Sequence, residues 1–345
     1  MKAETLLPLG KLDPGLRAPD VALDLAAVAG DAAKVDAMGY HALLMEETKD
    51  DPFQVLALAA QASERVHLGT SVAIAFARSP YVVAQAAWTA QKISRGRFEL
   101  GLGSQVRGHI RRRFGLDWHP PGPWMRDFVG AVKAIWQSWQ NQTPLEYASQ
   151  HYNLNLTVPL FTPAPIDWPD IPIQVAAVNP YMARVAAEVA DGVRLHPVCS
   201  PTYIRDVILP QLTARKPGFE VCLKPLVATA RTDAQLEARI QIARQRLAFY
   251  GSTPAYAGAF AVFGLEDLCA ELAQLSKTQR WDEMAARIDD DLLHACVIVA
   301  KYDDLAATIS TRYGDWLQRI EVSIPVENAE DQAQMADIIA NLSAD

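Results

Sequence analysis

The chain has little cysteine and little histidine for its length. Its four cysteines among 345 residues, Cys199, Cys222, Cys269 and Cys296, stand far apart with no CxxC pair. That spacing excludes a zinc knuckle or a disulfide framework and reads as buried thiols of a cytosolic protein. The seven histidines are scattered, with no HxH or comparable ligand set, so a metal-dependent barrel hydrolase is disfavoured and no metal is expected. Positive charge is short too: 32 Lys and Arg face 40 Asp and Glu, a net charge of −8. A chain that neutralises few phosphates makes a poor nucleic-acid binder. No apolar run approaches the roughly 18 residues that a membrane span requires. The opening MKAETLLPLGKLDPG reaches Asp13 and Pro14 before an apolar leader core forms, so no signal peptide is expected and the location is read as cytoplasmic.

Half of the residues are apolar, enough for a large core, and they fall in short runs that alternate with helical stretches. Eight runs read as strands: TLLPL, HALLMEE, VHLGTSVAIA, RFELGLG, IPIQVAA, GVRLHP, VCLKPLVATA and RIEVSIP. Val21 to Met38, closed by Gly39, reads as a helix. Asp51-Pro52 and Ser79-Pro80 each supply a capping side chain with proline at the first helical position. Phe128, Val132, Ile135, Trp136 and Trp139 share one helical face. A further helix is expected from Pro180 to Ala190, and Asp303-Asp304 is expected to cap the last major helix, which Gly314 ends. Steady βα alternation implies a parallel sheet, and eight units imply closure into a (β/α)8 TIM barrel, α/β in class, as a single domain over residues 1–345. Two stretches break the rhythm: about 144–172, Pro-rich with alternation in HYNLNLTVPL, predicts a hairpin-like insertion, and about 250–291 predicts a helical one. Insertions in barrels usually sit over the C-terminal face, where active sites are built.

SRGRFELGLGSQ, Ser94 to Gln105, tests whether the sheet is instead a dinucleotide-binding one. That fingerprint needs G-x-G-x-x-G opening a helix. Here Gly101 and Gly103 are followed by Val106 where the third glycine belongs, and three βα units already precede. The glycines are read instead as ending a barrel strand where backbone approaches a flat ligand.

The run LGTSVAIAFARSPYVVAQAAWTAQKISRGRFELGLGSQ resembles the central segment of the bacterial luciferase-like superfamily of flavin and deazaflavin enzymes. IPIQVAAVNPYMARVAAEVADGV is similar to its phosphate-site strand, helix and ADG turn, and DDLAATISTRYG to its last helix. The subgroup most resembled uses coenzyme F420. The resemblance implies a homodimer paired through early helices and a small-molecule substrate. It implies hydride transfer between C5 of the deazaflavin and that substrate. An FMN-dependent monooxygenase fed by a separate reductase, or a cofactor-binding barrel without catalysis, are the alternatives.

The resemblance also assigns positions. Thr70, Ser71 and Val72 map onto a bulge behind the ring, with a cis peptide expected between Ser71 and Val72. Gly101, Gly103, Ser104 and Gln105 map onto the loop beside the ribityl chain. Ala176, Ala177, Val178, Asn179, Pro180 and Tyr181 map onto the phosphate site. There the residues themselves predict a helix starting directly after a strand, with Asn179 as its cap, so that free N–H groups and the dipole would receive an anion. Val178-Asn179 departs from the more usual glycine pair. Glu47 and Thr48 replace the Asp-His of sugar-phosphate-oxidising relatives, leaving Glu47 as a hydrogen-bond acceptor or proton carrier and Thr48 beside the cofactor. His196, before Pro197, and His109, after the GxG, are candidates for proton handling. Arg107, Arg111, Arg112 and Arg113 form a local basic cluster suited to an anionic cofactor tail.

Overall fold

Strands buried on both faces and joined through helices must pair in parallel, and here they close on themselves. The computed structural model describes residues 1–11, 22–314 and 316–344. In chain order the strands are β1 (Lys2–Leu6), β2 (Ala42–Met45), β3 (His67–Thr70), β4 (Ala73–Ile74), β5 (Phe98–Gly103), β6 (Tyr147–Ala148), β7 (Asn153–Leu154), β8 (Ile173–Ala177), β9 (Gly192–Leu195), β10 (Glu220–Leu223), β11 (Leu226–Ala230), β12 (Val297–Lys301) and β13 (Arg319–Glu321). Parallel pairing runs β1–β2–β3–β5–β8–β9–β10–β13 and returns to β1, a closed eight-stranded barrel, with β4 along β5.

The helices are α1 (Val28–Met38), α2 (Pro52–Gln61), α3 (Pro80–Ser94), α4 (Arg107–Arg112), α5 (Pro121–Asn141), α6 (Pro180–Val189), the single turn α7 (Pro201–Tyr203), α8 (Asp233–Gly251), α9 (Ala257–Phe260), α10 (Glu266–Lys277), α11 (Trp281–Ala285), α12 (Asp290–Cys296), α13 (Tyr302–Tyr313) and α14 (Ala329–Ala344). The sequence punctuation works as chemistry demands. Asp51 accepts from the Phe53 and Gln54 N–H groups, Ser79 from Val82, and Gly39 closes α1 at φ 86°. The α5 stripe from Phe128 to Trp139 is buried against the barrel. All four cysteines are buried and unpaired. Among the described residues no helix is long and apolar enough to cross a membrane.

Several expectations need correcting. The first strand is KAETL rather than TLLPL, since it stops before the cis Leu7–Pro8 peptide. α1 begins at Val28, while Val21, Asp13 and Pro14 lie outside the described residues. VCLKPLVATA is two strands: Pro225, which has no N–H for a ladder, separates β10 in the barrel from β11, which pairs with the unforeseen β12 in a two-stranded parallel sheet. Of HYNLNLTVPL only Asn153–Leu154 forms a strand, paired antiparallel with Tyr147–Ala148. Asp303 and Asp304 lie in the first turn of α13 without capping it, and α14 follows as a further long helix.

Candidate active site

Side chains alternate in and out along a strand, and the barrel interior shows it in charge. Glu4 of β1 accepts from the two terminal guanidinium nitrogens of Arg194 of β9 at 3.0 Å each, and Arg319 of β13 reaches Glu4 at 3.1 Å and Glu99 of β5 at 2.6 Å. Arg319 also pairs with Glu220 of β10. Glu4, Glu99, Arg194 and Arg319 are buried, and Glu220 is half-buried. Burial would raise the Glu99 pKa, but the His67 hydrogen bond and the Arg319 charge hold it far below the ordinary carboxylate range.

Near the strand starts, His41 and His67 stack at 4.7 Å, and with Glu99 they bring donor atoms within 4.8 Å of one another. The sequence, with its scattered histidines, did not show this convergence. His67 Nδ1 lies 3.0 Å from one Glu99 oxygen and Arg319 holds the other, so the carboxylate is already matched and the cluster is read as an ion network.

Two residues further along each strand, the same inward alternation reaches the C-terminal rim. Following β9, β10 and β2 come His196, Lys224 and Glu46, and β13 ends in Glu321. Lys224 Nζ lies 2.7 Å from Glu46 and 3.5 Å from Glu321. Burial drives the His196 pKa down to about 4, with the Lys224 charge assisting. Its Nδ1 accepts from the Val198 N–H at 3.2 Å, which leaves the neutral ring's proton on Nε2. Tyr256 and Tyr250, from the helical insertion, pack on it at 4.4 and 4.9 Å. Phe260 of the same insertion is core.

The opposite part of the rim is built from small residues. The Ser71–Val72 peptide is cis, as expected. Gly101 and Gly103 face it. A Cβ on Gly101 would stand 1.9 Å from the Thr70 carbonyl oxygen, and one on Gly103 2.5 Å from the Val72 side chain. The glycines make room for the bulge. Thr70 is likewise engaged, its hydroxyl donating to the Gly101 carbonyl at 2.6 Å and accepting from the Gly101 N–H at 2.9 Å. Ser104 and Gln105 are half-buried, with Gln105 in the left-handed region at φ 53°. Beyond β8, Val178 receives the Tyr203 hydroxyl on its carbonyl at 3.0 Å. Asn179 stands at the N-cap of α6 without capping it by its side chain, contrary to expectation, and Pro180 opens the helix. Ala176 is half-buried, Ala177 is buried, and Tyr181 is exposed with its ring over Gly122.

Other expected site residues are placed differently. The Glu47 carboxylate accepts from the Ile74 N–H at 2.7 Å and from Arg78 at 2.6 Å, and Arg78 bridges on to Asp51 at 2.9 Å. Glu47 is a brace for the segment after the bulge. Thr48 is exposed, its carbonyl accepting from Arg113 at 3.2 Å. His109 is exposed on α4, with Arg111 and Arg112 beside it and Arg107 against the Trp118 ring. Trp124 stacks on Phe76 at 3.7 Å and His119 meets its edge at 5.0 Å.

Glu46, Lys224 and Glu321 were missed. For Lys224 and Glu321 a signal was present in EVCLK and RIE, as in KAETL and GVRLHP, where charged residues recur two apart in strands that a barrel buries; Glu46, after the apolar ALLM, had none.

The titrating groups give a testable acid response. His41, whose pKa burial and Arg319 press down to about 4, and His196 are both neutral when folded, whereas an unfolded histidine titrates near 6.5. The unfolded state therefore binds more protons below that value, and stability falls as pH drops. Glu321, raised to about 7 by burial, works in the opposite sense and offsets part of the loss. The net expectation is a loss of about 1–2 kcal/mol between pH 7.5 and 5. Urea midpoints at the two pH values check it, with His41→Gln flattening the difference; equal midpoints for the wild type refute it.

The C-terminal rim of the closed barrel thus joins a bulge at a cis peptide, a helix N-terminus and a buried histidine, and the chain's family makes it a luciferase-like oxidoreductase barrel. The family model for luciferase-like monooxygenases matches residues 9–317, and the chain belongs to that family. A Mycobacterium tuberculosis protein of uncharacterised function is 39% identical over 315 residues, covering 89% of this chain and 92% of its own length. Another from the same organism, provisionally named a coenzyme F420-dependent oxidoreductase, is 28% identical over 348 residues, covering 94% of this chain and 95% of its own. In fold, the chain is similar to the coenzyme F420-dependent tetrahydromethanopterin reductase of Methanopyrus kandleri, with TM-score 0.75 and 17% identity over 99% of this chain and 98% of that one.

Proposed function

We propose that this protein is a coenzyme F420-dependent oxidoreductase that moves a hydride between the deazaflavin and a small polar substrate. The observation that carries the reading is the division of the rim. Small residues and an uncapped helix N-terminus occupy the β3–β5–β8 part, and His196, Lys224, Glu46 and Glu321 occupy the rest. The residues fit the cofactor. The first turn of α6 carries no acidic side chain and no side chain claims its N–H groups, so an anionic phosphate meets main-chain donors and the positive end of the dipole. The bound deazaflavin supplies the hydride chemistry at C5.

The chain's own residues supply the rest. Glu47 and Arg78 brace the backbone after the bulge. Ser104 and Gln105 offer hydroxyl and amide groups to the ribityl chain. The exposed Arg107, Arg111 and Arg112 suit the anionic tail. His196 offers an Nε2–H donor toward the mouth, under Tyr250 and Tyr256, which exclude water from one side.

Parallel titration of the purified protein with F420 and FMN, followed by fluorescence, tests the proposal. F420 binds more tightly, and Pro180→Glu weakens it at least tenfold, about 1.4 kcal/mol, by placing a carboxylate where the phosphate sits. Tighter FMN binding with oxygen consumption on reduction favours the monooxygenase alternative. Unchanged affinity in Pro180→Glu removes the α6 site.

A further inference from the structure

Three glutamates stand near the rim, and two of them are matched. Glu47 holds the Ile74 N–H and Arg78, and Glu46 takes the Lys224 ammonium at 2.7 Å. Glu321 differs. Lys224 approaches its Oε1 at 3.5 Å, while Oε2 is buried with no hydrogen-bond partner among the described residues. A buried carboxylate oxygen without a donor carries a desolvation penalty that a proton or a ligand hydroxyl relieves. It lies at the last inward position of β13, on the charged part of the rim.

We propose that Glu321 is the proton-exchanging carboxyl of this site, serving a substrate that interconverts hydroxyl and carbonyl; this rests on the deazaflavin reading above. In the oxidative direction the substrate C–H bond breaks and its electron pair leaves with the hydrogen as hydride to the deazaflavin. The O–H bond breaks, the C=O double bond forms, and the proton goes to the Glu321 carboxyl. Two electrons leave the substrate and two enter the cofactor, so no further oxidant is needed. The reverse direction takes the proton back from Glu321.

The surroundings suit that exchange. Glu4 from β1, Glu46 and Tyr40 flanking β2, Arg194 from β9 and Lys224 after β10 all act on Glu321 or are acted on by it. Burial, with the neighbouring carboxylates, outweighs Lys224 and Arg194 and pushes the carboxyl up to about 7. Both protonation states are therefore populated at neutral pH, the condition under which general acid and base catalysis work best.

The test needs no known substrate. Protein with carbon-13 at the glutamate side-chain carboxyls, followed by NMR from pH 5 to 9, shows one resonance titrating near neutrality that disappears in both Glu321→Gln and Glu321→Asp. Calorimetry of F420 binding in two buffers of different ionisation enthalpy shows uptake of about half a proton at pH 7. That uptake vanishes in Glu321→Gln, while affinity stays within threefold. Should Glu321→Gln fail to fold, the wild-type titration and Glu321→Asp decide. F420 binding without proton uptake, or a Glu321 resonance in the ordinary carboxylate range, overturns this assignment alone. No F420 binding by the wild type overturns the function proposed above and the hydride step with it.

Discussion

Arg319→Met lowers the unfolding free energy by about 3–5 kcal/mol, the range for stripping one partner from a buried ion pair. The reason is arithmetic of charge inside the barrel. Arg319 alone touches Glu4, Glu99 and Glu220, and the first two are buried almost completely. Methionine fills comparable space, so the loss comes from carboxylates left facing one another in low dielectric rather than from a cavity. Arg194 still holds Glu4, which leaves Glu99 as the principal orphan. Adding Glu99→Gln to Arg319→Met therefore recovers a large part of the loss. Against a total of roughly 5–15 kcal/mol for a native domain, the single variant is expressed poorly or unfolds at low urea. Urea midpoints at constant slope check the pair; a loss under about 1 kcal/mol for Arg319→Met refutes the account.

Gly101→Ala has an effect of the same order from a different cause. The added methyl stands 1.9 Å from the Thr70 carbonyl oxygen and 3.3 Å from a Val72 methyl. A carbonyl in a ladder cannot rotate aside like a side chain. β3 must part from β5, breaking the Thr70–Gly101 stitch on both sides. Overpacking usually costs about 1–3 kcal/mol, and with backbone as the obstacle the upper end or beyond is expected. Gly30→Ala is the control. Nothing lies within 4 Å of its new methyl and it sits inside α1, so stability rises by up to about 1 kcal/mol. Thermal unfolding of the two variants beside the wild type separates them; near-equal midpoints would show that the bulge does not depend on a bare β5.

All eight barrel strands were legible because apolar runs, proline-led helix starts and turn glycines are local signals. The closed order followed from their number. The cis Ser71–Val72 peptide came from resemblance, not from periodicity. What escaped was non-local. VIVAK reads like any short apolar run until β11 is there to pair with it, and the break at Pro225 hid inside a continuous string. The cofactor side of the site was found through motif, whereas Glu46, Lys224 and Glu321 belong to three separated strands that only closure brings together. Glu47 was singled out by resemblance, at the place where relatives carry Asp-His, and that motif says nothing of Glu46 beside it. Asn179 shows the reverse error: a good capping residue at the right place whose side chain does not cap.

Lys224 has a double address. It follows the barrel strand β10 and, with Pro225, forms the two-residue link to β11, which pairs with β12 beside the barrel and packs against α8, the helix carrying Tyr250. That one side chain ties the layer carrying Tyr250, whose ring packs on His196 at 4.9 Å, to the two carboxylates of the rim: a single lysine keeps two parts of the mouth in register.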